Sequence, residues 1–499
     1  MAPAAMVIAA LLVRLDAWAP PPDALIAEAR ALPAEFAADT LIRLSASPAL
    51  TPALQRDLLD EAFMRAYAAH DASRRSSMTS LQPESRQSAQ LFAYDSGLTR
   101  LTLQARAAGR LAFVDGARAR ELFEWIDVNL APATCEDPLV PAVDEYYSAL
   151  SLLARTTFGG DRGEAIRFLE RHLWRARLPS EMPAVARAVR SVRPSLDEAI
   201  YLEGVVRWIL QGSVREARGF SLASLDIIAR IGELQQVDRQ RGVQGWYLLD
   251  GLRDYLIDRL SGARCADSTT EPMVPAVFNG VVGRLGAEGD VDPIDERAAR
   301  GGKLLPAARF DYYWQAPEPR RLHGGLDQLR GEGRKMYPQA VRETKEWRDQ
   351  ADLLLTGIEQ WSGRREPHEG DYFYQKAALL TGLIDLSPPA TVRTRAVRAF
   401  VDFLRHSDNE RERRAMWLAM LIRCLELARL DPSGEIFNLL EESQHPVLSV
   451  YAQVERMVRT RVEDGGNDAI ERKSPRTANP GTPEPGTREP GTGNREPGT

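Results

Sequence analysis

Residues that could bind a metal ion lie close together in two acidic segments of the sequence. Residues 366–371 bring one histidine and three carboxylates together, but without the His-Glu-x-x-His spacing that places two imidazoles on one helix face. Residues 290–296 match a calcium loop at its first and third positions, and lack the glycine at the sixth and the glutamate at the twelfth. We therefore expect solvent-exposed segments here, and neither a metal site nor a cofactor.

A cluster of aromatic residues is the strongest candidate for ligand binding. Phe310, Tyr312, Tyr313 and Trp314 place four aromatic rings within five residues. Such a cluster can stack on a sugar or a base, or it can anchor an insertion to the body of the protein. Aromatic residues make up only 7% of the chain, which argues against an extended carbohydrate groove and favours anchoring.

Signatures of the common catalytic classes are missing from the sequence. There is no Gly-x-Ser-x-Gly elbow, no phosphate-binding Gly-x-x-x-x-Gly-Lys-Ser/Thr loop and no Gly-x-Gly-x-x-Gly turn. The Asp-Asp pair of metal-dependent terpenoid chemistry is also missing. No catalytic residue can be named, and the sequence favours a protein that is not an enzyme.

Cys135 and Cys265 occupy equivalent positions in a weak internal duplication. Each follows an amphipathic helix, predicted at residues 121–130 and 251–260, and each precedes an acidic turn that leads to a Pro-Ala-Val tripeptide. The two copies lie 130 residues apart and match no named repeat. The cysteines could form a disulfide if their Cα atoms came within about 7 Å, or they could remain separate thiols, held apart by the offset between two stacked halves.

Helix start signals recur along most of the chain and predict an all-α fold. Thr51 precedes a proline, and the pairs Asp161 and Glu164 and Ser195 and Glu198 have the spacing of a capping box. Each is followed by apolar residues at three- and four-residue spacing. Short connections favour stacked antiparallel helical hairpins, arranged as an α-solenoid-like array or a multi-helix bundle.

Breaks in the helical pattern divide the chain into five segments. We expect a signal peptide at residues 1–19, a helical region at 20–280 that contains the duplication, an irregular acidic and aromatic insertion or junction at 281–337, a second helical region at 338–465, and a disordered tail rich in Pro, Gly and Thr at 466–499.

The N-terminus and the overall charge bear on location and partners. An apolar run at residues 2–13 and the small-x-small sequence at 17–19 slightly favour export to an extracytoplasmic compartment. The alternative is a cytoplasmic protein whose first helix packs on the body. No apolar stretch is long enough to span a membrane.

The basic residues bear on source and partners. Five lysines among 64 basic residues favour a GC-rich bacterial genome. A net charge of −6 argues against nucleic acid as a partner.

These observations predict a non-enzymatic helical scaffold that binds a protein or peptide partner. The alternative is an all-α enzyme of toroid type that acts on a carbohydrate-like substrate, with catalytic carboxylates about 5–9.5 Å apart. The sequence carries no signal for an oligomeric state.

Overall fold

Helices account for nearly all of the regular structure, as the capping and periodicity signals predict. The computed structural model describes residues 22–464, apart from residues 49, 70–74, 77–96, 138, 309–316, 332–334, 363–368, 407–420, 422–423, 427 and 429–433. One compact unit extends to Val458, and a second begins at Arg459. The all-α fold predicted from the sequence is confirmed for the described residues.

Among the described residues, twelve α-helices lie between residues 22 and 285. They are α1 Pro22–Arg30, α2 Ala34–Ser45, α3 Pro52–Ala66, α4 Arg100–Leu111, α5 Gly116–Glu124, α6 Asp144–Thr156, α7 Arg162–Leu173, α8 Met182–Ser191, α9 Leu196–Gly212, α10 Ala217–Gln240, α11 Tyr247–Leu260 and α12 Val274–Leu285. Seven follow: α13 Pro317–Gln328, α14 Gln339–Arg342, α15 Lys345–Gln360, α16 Glu369–Asp385, α17 Ala390–Arg405, α18 Glu435–Glu441 and α19 Pro446–Asp464.

Helices α4 to α12 stack as hairpins in two layers. In one layer α4, α6, α8, α10 and α12 contact one another in that order, and in the other α7 contacts α9, which contacts α11. The first four helices of this layer also pack against the helix that follows in sequence: α4 against α5, α6 against α7, α8 against α9 and α10 against α11. This arrangement buries the apolar stripe of each helix between its neighbours.

The predicted helix starts are present as caps. The Thr51 side chain accepts a hydrogen bond from the Leu54 backbone N–H, and Asp161 accepts one from Glu164. Ser195 and Glu198 form a complete capping box at the start of α9.

Two pairs of short strands hold distant segments together. Strand β1, Arg75–Ser76, is antiparallel to β2, Leu139–Val140, with Arg75 opposite Val140. Strand β3, Arg264–Cys265, is parallel to β4, Leu304–Leu305, with Arg264 opposite Leu304.

The middle segment predicted to be irregular, residues 281–337, is more ordered than the sequence indicates. It contains α13, whose Leu322 and Leu326 are buried at helical spacing. The acidic run at 290–296 is also anchored, because Val291 and Ile294 are buried and Asn279 exchanges two hydrogen bonds with Ile294, of 3.0 and 2.9 Å.

Helix α2, near the start of the described chain, contacts the part of α19 that belongs to the larger unit. Tyr451 of α19 donates a hydrogen bond to the buried Asp39 carboxylate of α2, over 3.2 Å. Arg43 forms an ion pair of 3.3 Å with Glu455, and the rings of Phe36 and Tyr451 meet edge to face. The two ends of the described chain therefore stabilise each other.

Several expectations concern residues outside those that the structure describes. These are the signal peptide at 1–19, the tail at 466–499 and the aromatic cluster Phe310, Tyr312, Tyr313 and Trp314. Within the described ranges, no helix is both long enough and apolar enough to cross a membrane.

A buried pair of carboxyl groups joins α9 to α10. Glu203 and Asp238 are 4% and 1% exposed and are hydrogen bonded to each other. Gln235 donates to Glu203 over 3.4 Å, and Arg241 donates to Asp238 over 3.0 Å. Burial and the neighbouring Asp238 raise the pKa of Glu203 from its ordinary value of 4.5 to about 7. The pair therefore favours holding a proton in the folded state.

We expect Glu203 to make the protein less stable as pH rises from 4.5 to about 7. Over that range the unfolded chain releases the proton while the folded chain retains it, so ionisation opposes folding by about 2 kcal/mol at pH 8. Glu203→Gln should remove this dependence and be more stable than the wild type at pH 8. Urea unfolding at pH 5 and pH 8 measures it, with the exposed Asp197→Asn on the same helix as the control. An unchanged pH profile in Glu203→Gln would contradict the assignment.

Candidate binding cleft

An extended segment, which we call the strap, connects α5 to Cys135. It comprises residues 126–134, which form neither a helix nor a turn. Ile126 is buried and Val128 and Leu130 are half-buried, whereas Asp127 and Asn129 are exposed. The amphipathic helix predicted at 121–130 is wrong after Glu124, because residues 126–130 alternate with the two-residue period of an extended chain.

The start of α10 holds the far end of the strap. Glu216, the N-cap of α10, accepts hydrogen bonds of 3.0 Å from the backbone N–H groups of Gly219 and Ala133. Arg218 is almost fully buried, donates to the Cys135 carbonyl and forms an ion pair of 2.9 Å with Asp267. One helix terminus thus binds the segments that carry both cysteines.

Cys135 and Cys265 form a disulfide at the end of the strap. Their Cα atoms are 5.3 Å apart, within the reach that a disulfide requires. Three helical hairpins lie between the two duplicated segments in sequence. The segments meet because the strap passes the α7–α8 connection and ends at the start of α10. The third cysteine, Cys424, is fully buried.

A cavity of about 350 Å³ lies between the strap and the connection from α7 to α8. Residues 126–130 line one side. The other side is formed by Trp174, Arg175, Arg177, Leu178 and Glu181. We call this cavity the strap cleft.

Glu181 shapes the wall of the strap cleft. One carboxylate oxygen accepts a hydrogen bond of 2.9 Å from the Tyr147 hydroxyl, and the other accepts two of 2.8 Å from the backbone N–H groups of Arg177 and Leu178. Burial raises the pKa of Glu181 despite these bonds. Because both oxygens are engaged, this side chain fixes the connection in place.

The two arginines of the cleft differ in their partners. Arg175 donates a hydrogen bond of 3.1 Å to Glu124. The guanidinium of Arg177 is exposed and makes no hydrogen bond or ion pair with any residue that the structure describes. Arg177 therefore leaves a positive charge available at the cleft.

A buried histidine lies at the end of α7, two residues before Trp174 of the cleft. His172 is fully buried, and its Nδ1 is 2.8 Å from the Tyr146 hydroxyl. Burial lowers the pKa of His172 to about 4, so the ring is neutral at physiological pH. It packs against Phe123 and Phe168 and so fixes the end of α7, directly before Trp174.

Exposed aromatic residues continue from the cleft along α9. Trp174, which lines the cavity, is 42% exposed and lies edge-on to Trp208, which is 65% exposed, with ring centroids 6.3 Å apart. Leu196 and Ile200 are exposed on the same helix as Trp208, at positions separated by multiples of four residues. We call these four side chains the apolar stripe; several large apolar side chains exposed near one another are typical of interaction sites.

No family model matches the chain, and no curated protein matches its sequence.

Sequence reasoning found only one part of this site. The structure brings Cys135 and Cys265 together beside the strap, and it gives no placement for the predicted aromatic cluster. Trp174, Arg177 and Trp208 were missed, because a single tryptophan or arginine on a helix carries no motif. Within the described ranges, no group of three or more His, Cys, Asp or Glu side chains is placed to hold a metal ion.

Proposed function

We propose that the protein is a non-enzymatic helical scaffold that binds a polypeptide partner in the strap cleft and on the apolar stripe. The observation that carries the proposal is the exposed pair Trp174 and Trp208, which continues directly from the cavity. Tryptophan and arginine are the residues most enriched at the energetic centres of protein interfaces. Both occur here, next to a concave surface.

The geometry supports binding more than catalysis. The two carboxylates of the cleft are Asp127 and Glu181. Glu181 is engaged at both oxygens, and an oxygen of Asp127 accepts a hydrogen bond of 2.9 Å from the Asn129 N–H. The three hydrogen bonds of Glu181 within the protein support a structural role for it over that of the general acid that the carbohydrate-active alternative requires.

We place the protein and its partner in an extracytoplasmic compartment. The disulfide between Cys135 and Cys265 supports this, because disulfides persist in oxidising compartments and are rare in the cytosol. N-terminal sequencing of the extracytoplasmic fraction tests the location, and recovery of the protein with reduced cysteines from the cytoplasm would overturn it.

Replacing Trp174 or Trp208 with alanine should weaken partner binding at least about tenfold, as expected for aromatic residues at an interface centre. A photo-crosslinking amino acid in place of Gln211, an exposed position one turn after Trp208, first traps the partner, with the same group at the exposed Phe113 as the control. Titration of the purified partner then compares wild type, Trp174→Ala, Trp208→Ala and Phe113→Ala. Equal affinities in all four proteins would contradict the proposal. Specific binding of oligosaccharides that depends on Trp174 would favour the enzymatic alternative.

A further inference from the structure

The strap carries several backbone groups that have no hydrogen-bond partner among the described residues. The N–H groups of Asp127, Val128, Leu130 and Ala131 make no hydrogen bond within the part of the chain that the structure describes, and no hydrogen bond to the carbonyl groups of residues 127–132 is present there. The Asn129 N–H is bonded only locally, to Asp127. Backbone groups left unpaired along an extended segment are a template for pairing with another extended chain.

We infer that the partner binds as an extended segment that pairs with residues 127–131 of the strap and carries an acidic side chain opposite Arg177. This inference rests on the proposed function and names the form and charge of the partner. Addition of a strand to an exposed edge is an established mode of peptide recognition, in which main-chain hydrogen bonds give affinity and alternate side chains give specificity.

The unpaired backbone groups of the strap favour a polypeptide over other ligands. An incoming extended segment of five residues covers about 13 Å at about 3.3 Å per residue and carries backbone donors and acceptors along that length. A carbohydrate or small molecule offers no matching series of backbone groups. Alternate side chains of the incoming segment would face Leu178 and Trp174, the apolar part of the opposite wall.

The unpaired donors of Arg177 favour an acidic side chain in the partner. Glu181 accepts hydrogen bonds from the protein at both oxygens, and one oxygen of Asp127 accepts from the Asn129 N–H. The guanidinium of Arg177 makes no hydrogen bond or ion pair within the described residues, and Arg175 beside it donates to a single carboxylate oxygen of Glu124. A carboxylate can take both N–H donors of a guanidinium edge, a geometry that an ammonium group cannot match.

The fixed ends of the strap make it a suitable template. Its first residue is buried, and Ala133 and Cys135 are held by Glu216, Arg218 and the disulfide. The segment between these anchors is therefore preorganised, and preorganisation lowers the entropic cost of binding.

Fluorescence anisotropy with three labelled heptapeptides tests the inference. The first alternates valine with glutamate between terminal glycines, the second has lysine in place of glutamate, and the third is the glutamate peptide with N-methyl groups on its alternate amides. We expect the first to bind the wild-type protein at least about tenfold more tightly than either of the others. Arg177→Glu should reverse the preference between glutamate and lysine, while Arg284→Glu, an exposed charge reversal on α12, should not.

The outcomes separate this inference from the proposed function. Equal binding of the glutamate and N-methylated peptides would overturn strand pairing. An unchanged charge preference in Arg177→Glu would overturn the acidic contact. The proposed function would still stand if the crosslinked partner required Trp174 and Trp208. Conversely, loss of that tryptophan dependence would overturn the proposed function whatever the peptides do.

Discussion

Replacing Cys135 with serine should lower the free energy of unfolding by up to about 4–5 kcal/mol, the chain-entropy value for a closed loop of roughly this length. The disulfide closes a loop of 130 residues that includes helices α6 to α11. Without it, the unfolded chain gains conformational freedom and the strap loses its covalent anchor. Urea unfolding of the wild type and Cys135→Ser measures the difference.

Reductant and a double variant serve as controls. Reductant should destabilise the wild type to the level of Cys135→Ser and leave that variant unchanged. The double variant with Cys265→Ser should be no less stable than Cys135→Ser, because either change removes the same bond. Alkylation of the unfolded, unreduced protein should label one cysteine, and labelling of all three would contradict the disulfide.

Replacing Asp39 with alanine should lower the free energy of unfolding by about 3 kcal/mol, because it leaves the buried Tyr451 hydroxyl and two half-buried guanidinium groups without their acceptor. The Asp39 carboxylate is buried and accepts hydrogen bonds from Arg43 over 2.7 Å, Tyr451 over 3.2 Å and Arg106 over 3.4 Å. These three donors come from α2, α19 and α4, so the change also loosens the contact between the two ends of the described chain. Chemical denaturation compares it with Arg30→Ala, which breaks a more exposed pair with Glu61 and should cost less than about 1 kcal/mol.

The same carboxylate should make stability fall in acid. Burial alone would raise the pKa of Asp39, but the guanidinium groups of Arg43 and Arg106 outweigh it and hold the pKa below its ordinary value of 3.8. Its contribution is therefore present above pH 3.8 and is lost as pH falls through the lowered value. Equal stability of Asp39→Ala and the wild type at pH 7 would contradict this role.

The fold could be predicted from sequence because its signals are local. Thr51, Asp161 and Ser195 were recognised as helix caps from the residues that follow them, and the structure shows each cap. The apolar spacing of Leu249 to Leu260 likewise predicted α11. Capping and periodicity act within one or two turns of a helix, so no knowledge of the tertiary structure is needed to read them.

The strap was missed because two local signals conflict there. Its acidic and apolar residues follow directly from α5, and they were assigned to the same amphipathic helix. The alternation of Ile126, Val128 and Leu130 with Asp127 and Asn129 was the signal that could have identified an extended segment. Five residues are too few for periodicity alone to decide.

The cleft depends on long-range contacts that no local pattern specifies. Glu216 binds Ala133, 83 residues away in sequence, and Trp208 meets Trp174 across two helices. The duplication identified Cys135 and Cys265 as equivalent positions, but the expected stacking of hairpins favoured two thiols held apart by the offset between the halves. Only the course of the strap across the helix ends brings the two cysteines together.

Hydrogen exchange of the strap tests the central claim most directly. Mass spectrometry would compare exchange along the chain with and without the crosslinked partner. Binding in the strap cleft predicts slower exchange for the backbone amides of residues 127–131, and unchanged exchange in α15 and α17, none of whose residues line the cleft. Unchanged exchange in the strap, with protection confined to another part of the chain, would contradict the assignment of the cleft as the binding site.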